Sequence, residues 1–191
     1  MRIVSGSLRG RPIRAPAGED TRPTSDRARQ AVFNILEHAP WSDGVGGARV
    51  IDLFAGSGAM GLEALSRGAA SCLFVESAEP ACAAIRANID AFGLGGRARL
   101  LKRNATALGS RPPGEAPFNL AFLDPPYGSG LGERALAALA EGGWLAPDAV
   151  LVIERGADEP PIDPPDYAQV DERRYGAAKM LILRPAPAPA A

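Results

Sequence analysis

From Arg49 to Glu154 the chain alternates short, almost continuously apolar runs with longer runs whose apolar residues recur at helical spacing. This alternation constrains the fold more than any other feature. The apolar runs are RVIDLF (49–54), CLFVES (72–77), ARLLK (98–102), NLAFLD (119–124) and AVLVIE (149–154). The helical runs are GAMGLEALSR (58–67), PACAAIRANIDAF (80–92) and GERALAALAEGG (132–143). A strand that is apolar at consecutive positions buries both faces, so layers must lie on either side of its sheet. Helices that alternate with strands supply those layers as crossovers between parallel strands. The expected fold is α/β, a mostly parallel, doubly wound sheet.

Both ends depart from this rhythm. The first 23 residues are short apolar pieces among Gly, Pro and Arg, which predicts a small strand or hairpin followed by loop. In TSDRARQAVFNILEH, Ala28, Ala31, Val32, Ile35 and Leu36 recur at helical spacing, with Thr24 or Ser25 as cap, Asp26 in the first turn and Pro40 as stop. Residues 1–40 are therefore expected to be a basic arm and helix extending the same domain, with the main domain over 41–184. QVDERRYGAAKMLILR (169–184) reads as two β segments around Tyr175 and Gly176, an antiparallel hairpin at the sheet edge. Residues 185–191 are proline and alanine with nothing to bury, which predicts a disordered tail.

Composition excludes several classes. No apolar run approaches the roughly 18 residues that a membrane helix needs, and MRIVSGSLRGRPIRAP lacks the apolar core of a secretory signal. A cytoplasmic protein that contacts no membrane is the expectation. Two cysteines (Cys72, Cys82) without a CxxC, and a single histidine (His38), support neither a disulfide scaffold nor a zinc site; both thiols read as buried apolar filler. The net charge of −1 conceals a split. Residues 1–30 hold Arg2, Arg9, Arg11, Arg14, Arg22, Arg27 and Arg29 against Glu19, Asp20 and Asp26, a basic arm on an acidic body. That is the outline expected of a chain that meets phosphates at one end, although the abundance of arginine also fits composition bias.

In open sheets of this class ligands sit beyond the carboxyl ends of the strands. Three places there carry chemistry. In DLFAGSGAMG, Gly56, Gly58 and Gly61 spell GxGxxG between a strand and a helix, where backbone can approach a ligand. Glu76 ends the next strand, 18 residues beyond Gly58, and can accept hydrogen bonds from ribose hydroxyls. These features favour an adenosine-containing cofactor, but taken alone they also fit a nicotinamide dinucleotide. Asp52, just before the glycines, tilts the choice: a carboxylate is unwelcome beside a pyrophosphate and suits the ammonium group of S-adenosylmethionine. Its plainer alternative is to cap the following turn. Asn104 can meet an adenine edge or be an ordinary loop residue.

The third place is FLDPPYGSG (122–130), where two prolines end a strand and remove backbone donors. An exocyclic nucleobase amine is a poor nucleophile because its lone pair is delocalised into the ring. Acceptors at the Asp124 carboxylate and the Pro125 carbonyl would rehybridise the nitrogen and turn its lone pair toward a methyl donor. Pro126 helps fix the turn, and Tyr127 can stack on the base, an interaction worth about 1–3 kcal/mol. Positioning and electrostatics would supply most of the catalysis. The plainer alternative is a strand-ending turn with Tyr127 as a wall residue.

With these residues in view the chain resembles the RsmD family of bacterial 16S ribosomal RNA guanine-N2 methyltransferases. The resemblance rests on RIVSGSLRGRPI, RPTSDRARQAVFNIL, VIDLFAGSGAMGLEALSRGA, the DPPY turn and RRYG, and covers nearly the whole length. It implies a Rossmann-like class I methyltransferase fold, S-adenosylmethionine as donor, and the 2-amino group of one guanine as target. The cofactor positions it implies are Asp52, Phe54, Ala55, Gly56, Ser57, Gly58, Glu76, Ser77, Asn104 and Ala105; the catalytic ones are Asp124, Pro125, Pro126 and Tyr127. Arg9, Arg11, Arg22, Thr24, Arg27, Arg174 and Tyr175 are the candidates for RNA contact, and no metal is implied. Where many relatives carry a second acid two residues after Glu76, this chain has Ala78. The expected partner is 16S ribosomal RNA within a 30S subunit or assembly intermediate, met by a monomer. Three rival readings remain open at this point: an adenine-N6 DNA methyltransferase, a nicotinamide dehydrogenase and a non-catalytic RNA-binding assembly factor.

Overall fold

The computed structural model describes residues 1–16 and 26–187. Helix α1 (Asp26–His38) precedes β1 (Arg49–Leu53), α2 (Ala59–Ser66), β2 (Ser71–Glu76), α3 (Glu79–Phe92), β3 (Ala98–Lys102), β4 (Phe118–Leu123), α4 (Leu131–Glu141), β5 (Leu145–Gly156), β6 (Tyr167–Tyr175) and β7 (Ala178–Pro185). The seven strands form one sheet in the order β3-β2-β1-β4-β5-β7-β6, parallel except where β7 runs against β5 and β6. The mostly parallel sheet with an antiparallel C-terminal hairpin is thus as the sequence predicted.

This order follows from handedness. Right-handed crossovers from β1 to β2 to β3 place α2 and α3 on one face, and the jump to β4 on the other side of β1 puts α4 on the opposite face. The first face is filled by Val50, Phe74, Phe122 and Val152 of the sheet, by Leu62, Leu65, Ile85 and Ile89 of α2 and α3, and by Val32, Phe33 and Leu36 of α1. The second face joins Ile51, Leu53, Leu123 and Ile153 to Leu136 and Leu139 of α4. Along β1, Val50 enters the first cluster and Ile51 and Leu53 the second, which is why the strand is apolar on both faces apart from Arg49 at its start and Asp52 near its end. The β1/β4 boundary is where the winding reverses, and its carboxyl end is the switch point at which such sheets bind ligands.

One strand boundary differs from the sequence reading. β5 begins at Leu145, four residues before the apolar run, because Leu145 pairs with Phe118 and a register shift separates that pair from Leu120 and Val150. The C-terminal hairpin lies at the sheet edge as expected, with its second strand, β7, between β5 and β6. Its two-residue loop, Gly176-Ala177, has Gly176 at φ 62, a conformation open to glycine at no steric cost.

The N-terminal segment makes a short antiparallel contact at Arg2 and Pro12 and is held by buried polar groups of the helices. Glu63, fully buried on α2, accepts Val4 N at 2.8 Å and Ser5 N at 2.9 Å, and pairs with Arg67 at 2.9 Å and Arg29 at 3.5 Å. Arg29, equally buried, also reaches Asp26 at 2.7 Å and the Arg2 carbonyl. Such a buried ionic group is costly to desolvate and adds little net stability, but it specifies where the arm lies. The predicted caps Thr24 and Ser25, and the residues of the predicted tail from 188 onward, fall outside the described residues.

Candidate active site

The glycine turn after β1 shows that its three glycines serve different ends. A Cβ on Gly61 would lie 2.4 Å from the Phe74 ring and 2.5 Å from Cys72 Sγ, so this glycine lets α2 press on β2. A Cβ on Gly58 would meet Phe74 at 3.1 Å. Gly56, at φ 56, is different: its nearest neighbour would be the Phe54 carbonyl at 4.0 Å, leaving open space in front of the turn. Phe54 itself has φ 56, the one non-glycine residue with positive φ among the described residues. A bulky side chain held there costs about 1–2 kcal/mol, and strain of this kind concentrates at ligand sites.

Asp52 points inward. Its Oδ2 accepts Gly61 N at 2.9 Å, supplying the cap that α2 cannot take from the side chain of Gly58. Burial pushes its pKa up to about 8; the Gly61 amide opposes this, and the charges of Asp124 and Glu76 raise it further. Asp52 thus takes the plainer of its two sequence alternatives, capping the helix, and it also belongs to a cluster of three carboxylates from the ends of β1, β2 and β4. Glu76 accepts Gly56 N at 2.9 Å through one oxygen, and Ser77 N at 2.7 Å and Ala78 N at 2.9 Å through the other. These amides fix the carboxylate beside the open turn. An acidic cup with one open glycine fits a cationic, ribose-bearing cofactor and would repel a pyrophosphate.

Asn104 is exposed, and its Oδ1 accepts both the amide and the hydroxyl of Thr106 at 2.9 Å, so it builds the turn after β3. Ala105 is buried behind it. Ser57 is bound through its carbonyl to Asn88 Nδ2 at 3.1 Å; the same amide group pairs with the backbone of Arg14 at 2.9 and 3.0 Å, joining the N-terminal arm to the glycine turn.

The loop after β4 begins with Asp124 N donating to Leu53 O at 3.3 Å, which seats Asp124 against the end of β1. Asp124 is half-buried, Pro125 buried, and Pro126 and Tyr127 exposed. Pro125 packs on α4 at Gly132, where a Cβ would stand 3.2 Å from the proline ring. The Tyr127 hydroxyl donates to Glu154 Oε1 at 2.6 Å, fixing the ring at the rim. Glu159 Oε1 accepts Gly128 N and Gly156 N, each at 3.0 Å, and its other oxygen pairs with Arg155 at 2.9 Å. Burial resists ionisation of Glu159, yet the two amides and Arg155 outweigh it and hold its carboxyl below the usual range. The predicted catalytic residues are thus buttressed by Glu154 and Glu159, which the sequence reading did not assign. Glu154 was visible as the acid ending the fifth apolar run, whereas Glu159 lies in a loop with no periodic signal.

The candidate RNA contacts are not equivalent. Arg9 and Arg27 are exposed. Arg11 bonds the Ala91 carbonyl at 2.5 Å and lies 4.7 Å over the Phe92 ring, so it also docks the arm on α3. Arg174 is exposed beside Glu172 at 3.4 Å, and Tyr175 is half-buried against the first core cluster. Arg22 and Thr24 fall outside the described residues.

Against known proteins, a family model described as "Conserved hypothetical protein 95" matches residues 1–184. The chain belongs to this family. Within it, the chain is 38% identical over 154 residues to "Ribosomal RNA small subunit methyltransferase D" of Escherichia coli, covering 81% of this chain and 74% of that protein. It is 32% identical over 177 residues to the protein of the same name from Haemophilus influenzae, covering 92% and 89%. The solved structure of yhhF from Escherichia coli superposes with a TM-score of 0.80 at 32% identity, over 97% of each chain. The resemblance to the RsmD family read from the motifs is borne out.

Proposed function

We propose that this chain is an S-adenosylmethionine-dependent methyltransferase acting on the 2-amino group of a guanine in 16S ribosomal RNA. One observation carries the reading: β1 and β4 bring the DPPY loop to the switch point, where Asp124 joins Asp52 and Glu76 beside the open glycine turn. Residues of the turn at Phe54–Gly58, with Glu76 and Asp52, would hold the donor, which supplies an electrophilic methyl group when bound. Asp124 and the Pro125 carbonyl would accept hydrogen bonds from the amine, directing its lone pair. Tyr127 would stack on the base, and its hydroxyl is already tied down, so little ordering entropy is lost on binding.

The basic arm would meet the RNA backbone, and a surface this small leaves part of the specificity to RNA shape. A 30S particle or assembly intermediate, engaged by a monomer in the cytoplasm, is the substrate state that this reading favours. The test is transfer of labelled methyl from S-adenosylmethionine to 30S particles lacking the modification, followed by nucleoside analysis. N2-methylguanosine that disappears in Asp124→Ala, with RNA affinity retained, supports the reading. Label on adenine, or no transfer with intact RNA binding, refutes it.

A further inference from the structure

Glu154 lies beside Asp124 in a way that the chemistry described so far does not use. β4 and β5 are parallel and paired at Leu123 and Ile153, and Asp124 and Glu154 are the residues that follow this last pair. Glu154 is paired with Met180 of β7, in the first core cluster, and Asp124 is close enough to Asp52, which caps α2 on that face, to act on its charge. Glu154 is half-buried and holds the Tyr127 hydroxyl at 2.6 Å, which places its carboxylate at the edge of the ring on which a base would stack. A carboxylate is an acceptor with about four lone-pair sites, so holding the phenol does not by itself exhaust it.

We infer that Glu154 is the specificity-determining residue that selects guanine, by accepting the base's N1–H while Asp124 accepts from the adjacent 2-amino group. The inference rests on the methyltransferase reading above and deepens it. Guanine presents two neighbouring donors, N1–H and the 2-amino group, and two neighbouring carboxylates match them. Adenine presents a lone pair at N1 next to its 6-amino group; a carboxylate facing that lone pair is repelled and left unpaired. Discrimination then comes as much from the penalty on the wrong base as from contact with the right one. Glu154 does not act on the reacting atoms, and glutamine in its place keeps an acceptor for the Tyr127 hydroxyl, so that substitution alters which base is accepted without releasing the ring.

The test compares target RNA carrying guanosine with the same RNA carrying 2-aminopurine riboside, which keeps the 2-amino group and lacks the N1 proton. Intrinsic reactivity differs between the bases but cancels when the ratio of kcat/KM for the two RNAs is compared between wild type and Glu154→Gln. A hydrogen bond to a charged group predicts that this ratio shifts by about 10–100-fold in favour of 2-aminopurine in the variant. Unfolding midpoint and the KM for S-adenosylmethionine serve as controls and should not move. Tyr127→Phe separates recognition from ring positioning: it should lower activity on both RNAs by a similar factor. A ratio unchanged within about threefold in Glu154→Gln, or an equal shift produced by Tyr127→Phe, overturns the inference. Absence of transfer to guanosine RNA by the wild type instead removes the underlying methyltransferase reading, so the two failures are distinguishable.

Discussion

Replacing Asp52 by asparagine should stabilise the protein at alkaline pH and leave it nearly unchanged at acid pH. The side chain is 3% exposed and capped by one amide, Gly61 N at 2.9 Å. Asparagine keeps the same shape and an acceptor oxygen for that amide while removing the charge. Burial and the neighbouring carboxylates move the Asp52 pKa from 3.8 to about 8 in the fold. The sign follows from linkage: the folded state retains a proton that the unfolded chain gives up, so Asp52 favours folding fully below about pH 4. That contribution is lost progressively as pH rises toward about 8. Within this window the slope is at most about 1.4 kcal/mol per pH unit. With a urea m-value of about 2 kcal/mol/M, the gap in midpoint between variant and wild type should widen by up to about 0.7 M per pH unit. The assay is urea unfolding of both proteins at pH 5, 6.5 and 8 without cofactor. Titration of other groups is common to both and cancels in the difference. Parallel midpoints across that range would refute the claim that Asp52 is held as a neutral acid in the free protein. The same variant should bind S-adenosylmethionine more weakly by calorimetry, because an ammonium group entering the cluster draws the proton off Asp52 and asparagine cannot supply that charge; tighter binding would contradict that role.

Two glycines of one motif should fail differently. Gly61→Ala drives a methyl into Phe74 and Cys72 Sγ and should cost about 1–3 kcal/mol in unfolding experiments, whereas Gly56→Ala meets no atom closer than 4.0 Å and should cost about 1 kcal/mol of backbone strain while losing most cofactor affinity. Equal destabilisation by the two would refute the division. Glu63→Ala takes a buried carboxylate from both Arg29 and Arg67, leaving Asp26 beside Arg29, and should destabilise by about 3–5 kcal/mol, with faster hydrogen exchange at Val4 and Ser5; unchanged protection of those amides would show that the arm is held elsewhere. Gly6→Ala tests the same docking without touching a charge, since its Cβ would lie 1.9 Å from the Ser66 carbonyl and should loosen the arm, measurable as increased proteolysis near residue 6.

The fold and the centre of the site could be read from the chain because each depends on local pattern. Continuous apolarity in VIDLF and LAFL follows from burial on both faces, helical spacing in residues 26–38 from burial on one, and the DPPY turn from the inability of proline to continue a ladder. Glycines between a strand and a helix announce backbone approach, though not which of them faces a ligand. That distinction needed the positions of Phe74 and Cys72, which come from the next strand over. The same holds for Asp52: its place in the sequence marks it as a candidate, but its inward direction and raised pKa depend on α2 and on Glu76 and Asp124 converging from other strands. Arg11 and Arg29 look alike among the basic residues of the arm, yet one lies over an aromatic ring at the surface and the other is fully buried beside Glu63. Glu154 and Glu159 took their meaning from the ladder and from a loop returning to Gly128. What the sequence determined by itself is what burial and backbone geometry impose within a few residues. Only the tertiary structure decided which charges meet, because a carboxylate's pKa, partners and direction are set by groups that the chain brings together from dozens of residues away.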